Sequence, residues 1–173
     1  YKRQDTYLVG EMGVAMVRGL QQGDFSSRNA VVANAKHWVA GGEPLTGINL
    51  SPMDVSLRTL YEDFFPPFKK AIDAGVFTFM AAHNEINGEP AHGSHFLLTE
   101  VLRDNWKFEG FVVSDWMDVS RLHTFHKVAK TPEDAVFQTV YAGMDMNMHG
   151  PDFGPHLINC LLYTSDAADD LLC

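Results

Sequence analysis

Apolar positions along the chain keep two alternating rhythms. Short segments dense in Val, Phe, Ala and Met, at 30–38, 77–82, 111–114 and 144–148, are almost continuously apolar, the pattern of strands covered on both faces. Between them, apolar residues recur at three- and four-residue spacing over 7–21, 56–74, 94–106, 120–126 and 132–142, which predicts amphipathic helices. Ser94 stands ahead of Leu97, Leu98, Val101 and Leu102 as a helix start, and Thr131-Pro132-Glu133-Asp134 puts a proline and two acids in a first turn. Gly75, Gly110 and Gly143 lie where a helix hands over to a strand, and each is expected to take a left-handed conformation there. Strands alternating with helices in this way predict an α/β fold with a parallel sheet.

Four such units make half of an eight-stranded barrel, whose complete form needs about 250 residues against the 173 here. The expected fold is therefore a partial (β/α)8 TIM-like barrel. No Gly-x-Gly-x-x-Gly or Walker sequence follows any candidate strand, so a nucleotide-binding open sheet has no support. The one long loop, 40–54, carries Gly41-Gly42, Pro44, Gly47 and Pro52, and a loop of that length often serves function.

Composition changes this picture at the ends of the chain. Residues 160–169 read Cys-Leu-Leu-Tyr-Thr-Ser-Asp-Ala-Ala-Asp, similar to a translated sequencing adapter, so 1–159 is taken as the barrel fragment and 160–173 as a non-native tail. The alternative is a genuine terminal helix. The tail holds both cysteines, Cys160 and Cys173, so neither a disulfide nor a thiolate metal site can be argued for the remainder. Thirteen basic against 22 acidic residues give a formal charge of −9, and setting aside the three tail acids leaves −6. That balance argues against nucleic acid and against an anionic membrane surface as partners.

Chemistry gathers at three strand ends. In Phe108-Glu109-Gly110-Phe111-Val112-Val113-Ser114-Asp115-Trp116, a buried strand delivers a carboxylate at its carboxyl end, where barrel enzymes place catalytic groups. Such a carboxylate can attack an anomeric carbon; equally, it can cap the next helix. Lys36-His37 closes another strand, its side chains expected to point to different sides, and a Lys near a carboxylate keeps it ionised. A third segment, 79–90, runs through Met80 and His83 into a polar turn. Trp116 either fills the core or forms an apolar wall. His92 and His95, like His123 and His126, have the spacing of helical metal ligands, but no carboxylate cluster or cysteine pair accompanies them. Solvated or capping histidines are the expectation. Met144, Met146 and Met148 alternate as core residues of a strand would.

Lys36-His37, 80–88 and 108–116, in this order and spacing, resemble the catalytic barrel of glycoside hydrolase family 3. Leu60-Tyr61-Glu62, Phe65 to Phe68, Leu97-Leu98 and Ala142 to Met146 extend the likeness to roughly 5–148. The resemblance implies a retaining exo-acting β-glycosidase without metal or organic cofactor. Asp115 would be the nucleophile and Lys36, His37, Met80, His83 and Trp116 would surround a terminal sugar of a β-linked substrate. His83 departs from the Tyr or Phe that many members carry, which puts its role in question. The run Lys36-His37-Trp38-Val39-Ala40-Gly41-Gly42 departs from the β-N-acetylglucosaminidase pattern. A β-glucosidase is the expected activity, a β-xylosidase or a non-catalytic carbohydrate-binding fragment the alternatives. The family's acid/base residue sits in a sandwich-like second domain, so the chain by itself is expected to be inactive, and its parent protein periplasmic or secreted.

Overall fold

A computed structural model describes residues 5–23, 25–150 and 153–158; the expected tail, 160–173, lies outside these. Helix α1 (Thr6–Gln21) begins at Asp5, whose carboxylate accepts the Leu8 N–H at 2.8 Å. At its far end Gln21 ties three segments together. Its amide donates to the Gly75 carbonyl (2.6 Å) and accepts from the N–H groups of Ala33 (3.2 Å) and Phe77 (3.1 Å).

Those two acceptor contacts set the entries of the first two strands, β1 (Asn34–Trp38) and β2 (Thr78–Ala81). A short antiparallel hairpin, β3 (Glu85–Ile86) and β4 (Glu89–Pro90), follows β2, and β5 (Phe111–Val113) completes a parallel sheet of order β1-β2-β5. The long loop is docked rather than loose, because Met53 bridges to Ile86 of that hairpin. Between β1 and β2 runs one continuous helical stretch, α2 (Leu57–Thr59), a π-helical turn Leu60–Phe64, and α3 (Phe65–Asp73). The helix after the hairpin, Phe96–Asn105, is of π type, and Ser94 Oγ accepts the Leu97 N–H at its start. Helix α4 (Asp118–Thr124) starts two residues earlier than the sequence pattern indicates, after Met117 turns into the left-handed region at φ 61°. Helix α5 (Pro132–Ala142) has Thr131 as its cap, accepting from the Asp134 N–H, and Pro132 in its first turn.

Two expectations are corrected here. Residues 144–148 form no fourth strand: one bridge, Val113 to Met146, is all that pairs. The carboxylate of Asp145 takes the Val112 N–H at 2.7 Å, and Ser114 Oγ takes the Met148 N–H at 2.9 Å, so side chains occupy donors that a longer ladder would use. Met144 is accordingly buried while Met146 and Met148 are exposed. Nor is Gly110 left-handed. It is glycine for want of space, since a Cβ there would stand 2.0 Å from the Phe77 carbonyl oxygen; Gly75 and Gly143 do have positive φ.

The core lies between the sheet and its helices. Trp38, Phe65, Phe79, Leu98 and Leu102 are fully enclosed there, with the Trp38 ring 4.9–5.9 Å from the rings of Phe65, Phe68, Phe79 and Trp106. Phe79, Ala81 and Val112 face this core; Met80 and Val113 alternate to the opposite face. Parallel strands backed on one side by helices, with polar side chains on the other, are an arc of a (β/α)8 barrel.

Candidate active site

Asp115 leaves β5 two residues beyond Val113 and is 8% exposed. Its Oδ1 accepts the Trp116 N–H at 2.6 Å. Its Oδ2 is enclosed and makes no hydrogen bond of good geometry among the described residues. Two imidazoles flank that oxygen: His83 Nε2 stands 3.1 Å and His37 Nε2 3.3 Å away. The two contacts qualify as ion pairs if the rings are charged, yet neither N–H is aimed well enough to saturate the oxygen. One oxygen is thus tied to the backbone and the other is held in a polar pocket with a lone pair unclaimed, which is what a nucleophile requires.

His37 reaches this carboxylate because β1 is irregular. Asn34, Ala35 and Lys36 pair with Thr78, Phe79 and Met80, and then the register shifts so that Trp38 pairs with Ala81. An extra residue in a strand re-aims its neighbours. Here Trp38 goes into the core and His37 to the Asp115 side. Lys36 is exposed and stands level with Met80 and Val113 across the sheet, on the face that leads to Asp115. Met80 is buried between those two neighbours. Trp116 does not fill the core: it is 51% exposed and stacks on His149, ring centroids 3.7 Å apart.

Beneath these residues lie Asp118 and Arg121, which sequence reasoning did not single out, and His92, which it did for another reason. Asp118, at the start of α4, is buried, with Oδ1 accepting from Arg121 Nη1 (2.7 Å) and Oδ2 bonded to His83 Nδ1 (2.6 Å). Arg121 also donates to the Trp116 carbonyl at 3.0 Å, closing the turn 115–118. His92, on the 3-10 turn Ala91–Gly93, is buried, and its Nε2 accepts the Asp115 N–H at 2.9 Å. Burial holds the His92 imidazole down at about 4 against the charges of Asp118 and Asp115, so at neutral pH it is an uncharged acceptor with its proton on Nδ1. A solvated role for this histidine is therefore overturned. The other histidines of the two spaced pairs go separate ways: His95 faces Glu100, His123 the Ala129 carbonyl and His126 Glu85. A sequence signal for Asp118 exists in the i, i+3 spacing of Asp115, Asp118 and Arg121, but nothing in the chain announces that His83 and His92 converge on it.

A family model described as the glycosyl hydrolase family 3 N terminal domain matches residues 3–160. A periplasmic β-glucosidase of Salmonella typhimurium is 38% identical over 154 residues, covering 89% of this chain and 20% of that protein. A β-xylosidase of Formosa agariphila is 43% identical over 149 residues, covering 84% and 20% respectively. Among solved structures, the β-glucosidase of Listeria innocua in complex with glucose superposes with a TM-score of 0.88 at 32% identity, over 93% of this chain and 23% of that one. The chain thus spans about a fifth of the length of the curated relatives it matches.

Proposed function

This chain belongs to glycosyl hydrolase family 3, and we propose that it is the nucleophile-bearing part of a retaining exo-β-glycosidase, with terminal β-D-glucosyl residues as substrate. The observation that carries the reading is the asymmetry of Asp115, one oxygen fixed by the Trp116 N–H and the other enclosed without a hydrogen bond from the described residues. In this scheme Oδ2 attacks the anomeric carbon as the bond to the leaving oxygen breaks, giving a glycosyl ester on Asp115. A second carboxyl group protonates the leaving oxygen and then, as carboxylate, deprotonates the water that hydrolyses the ester. Asp118 does not qualify for that task, being enclosed and bonded to Arg121 and His83. By the family likeness the acid belongs to a further domain of the parent enzyme, so the chain alone should turn nothing over. Lys36 and His37 offer donors to sugar hydroxyls, His83 sets its ring beside the carboxylate, and Met80 and Trp116 offer apolar surface. By its likeness to the Salmonella protein the parent enzyme is assigned to the periplasm or the exterior.

A β-xylosidase is the second reading, favoured by the 43% identity to a protein of that name. Both readings share the nucleophile. The test is to treat the full-length enzyme that carries this chain with a 2-deoxy-2-fluoro-β-glucosyl or -xylosyl fluoride, which glycosylates quickly and hydrolyses slowly, and to locate the label by peptide mass spectrometry. The label should sit on Asp115, and Asp115→Asn, close in shape but not nucleophilic, should lose turnover by orders of magnitude while still binding sugar. A label elsewhere, or an active Asp115→Asn enzyme, overturns the assignment. The faster-reacting fluoride identifies the sugar.

A further inference from the structure

We infer that Asp118 is a positioning residue for the nucleophile, acting on its carboxylate through His83 and on its backbone through His92. The inference rests on the reading of Asp115 as nucleophile and adds to it the groups that hold Asp115 in attacking geometry.

The argument begins with why a carboxylate is buried at all. An acid in the first turn of a helix gains from the helix dipole while still in water, so α4 alone gives no reason to enclose Asp118. Burial costs several kcal/mol unless the charge is paired and hydrogen-bonded on every side. Arg121 takes one oxygen at 2.7 Å. The other oxygen faces two imidazoles, His83 Nδ1 at 2.6 Å and His92 Nδ1 at 3.5 Å. Each of these rings turns its opposite nitrogen toward Asp115: His83 Nε2 is 3.1 Å from Oδ2, and His92 Nε2 accepts the Asp115 N–H at 2.9 Å. A carboxylate on Nδ1 does two things to an imidazole. It fixes the ring plane, and it draws the proton to Nδ1. For His92 the Nδ1 proton bonds to the Ala82 carbonyl and lies in the field of the Asp118 carboxylate at 3.5 Å, which together leave Nε2 as the acceptor that the Asp115 N–H needs. For His83 it fixes where Nε2 stands relative to the attacking oxygen.

Asp118 thus restrains both ends of the nucleophilic residue from one point, and Arg121 anchors that point to the turn through the Trp116 carbonyl. Placing an attacking atom to within a fraction of an ångström is worth about a hundredfold in rate. The consequence is specific: disturbing Asp118 slows attack by Asp115 without weakening recognition of sugar hydroxyls, which Lys36 and His37 provide.

The test uses the full-length enzyme carrying this chain and compares Asp118→Asn with wild type in two measurements. One is the rate constant for labelling of Asp115 by the 2-fluoro glycoside that wild type takes up faster; the other is the inhibition constant of the free sugar. The labelling rate should fall roughly 10- to 100-fold, with kcat falling alongside, while the inhibition constant stays within about twofold. A second pair guards against a variant that misfolds. His92→Gln keeps an acceptor for the Asp115 N–H and should label within a few-fold of wild type; His92→Leu strands that N–H and should not. A labelling rate for Asp118→Asn within about twofold of wild type overturns the inference. So does equal loss in labelling and sugar binding, and so does failure of His92→Gln to outperform His92→Leu. If instead the wild-type label lands on a residue other than Asp115, it is the nucleophile reading that has failed, and the same mass spectra report it.

Discussion

The two faces of the three-stranded sheet follow opposite rules. Toward the helices, Trp38, Phe79, Ala81 and Val112 interlock with Phe65, Phe68, Leu98 and Leu102 in a dry aromatic core. Toward the other side, Lys36, His37, His83 and Asp115 form a polar surface in which a carboxylate oxygen is enclosed without a hydrogen bond from the described residues. Residues one position apart on the same strand belong to different regimes, Phe79 to the first and Met80 to the second. The lesson is that stability and chemistry are separable here at the resolution of single residues. The helix-side core is almost wholly apolar and satisfies its few polar atoms, as Trp38 does on the Leu97 carbonyl, whereas among the described residues the site side leaves one carboxylate oxygen without a well-aimed donor.

Substitution at Trp38 should break the comparison most visibly on the stability side. The indole is fully enclosed, donates to the Leu97 carbonyl at 3.2 Å and touches four aromatic rings. Trp38→Ala removes that packing and strands the Leu97 carbonyl, so a loss of about 3–5 kcal/mol is expected. Denaturant unfolding of the full-length enzyme, followed by fluorescence of the remaining tryptophans, checks this. Because Trp38 adjoins His37, the folded fraction should still be labelled at Asp115; complete loss of labelling in protein shown to be folded would mean that the two faces are coupled.

His92 belongs to both regimes, being buried like a core residue yet bonded to the Asp115 N–H. Its pKa falls from 6.5 to about 4 on folding, with burial as the leading cause. Between those values the unfolded chain binds a proton that the folded chain refuses. Its contribution is therefore complete above pH 6.5 and is lost as pH falls to 4, a change of about 3 kcal/mol. Measured over that window, wild-type stability should fall more steeply than that of His92→Gln, which has no such proton to gain. Parallel curves would place the His92 titration elsewhere.

How much of this was legible in the sequence follows the same division. Apolar periodicity reports which residues are covered by helices, so β1, β2, β5 and the helices emerged with small errors at their ends. The strand expected at 144–148 failed because Asp145 and Ser114 use side chains to take backbone donors, and periodicity does not register side-chain hydrogen bonds. At the site, Asp115 was visible as an acid at the end of an apolar strand. The register shift that brings His37 to Asp115 was not, because it depends on how β1 pairs with β2. The role of Asp118 was hidden for a related reason: an acid in the first turn of a helix is ordinarily solvated, and only the placement of His83 and His92, far away in sequence, makes it a buried hub.

The smallest effect should come from Lys36, and it sharpens the comparison because Lys36 shares a strand with Trp38 while facing the site. The side chain is exposed, so Lys36→Ala removes little packing and stability should change by no more than about 0.5 kcal/mol. If its ammonium meets a sugar hydroxyl, the loss is that of one hydrogen bond from a charged donor, about 1.5 kcal/mol or roughly tenfold in kcat/KM. Part of that loss should appear in kcat, since contacts away from the reacting bond also hold the ring for attack. Lys36→Arg keeps the charge but spreads it over a planar group of different reach and should recover only part of the activity. Steady-state kcat/KM on an aryl glycoside with a good leaving group isolates the glycosylation step, the one proposed for Asp115, because such substrates need little help from the acid. Wild-type kcat/KM in Lys36→Ala would remove the lysine from the sugar site and leave His37 as the candidate hydroxyl donor on this face.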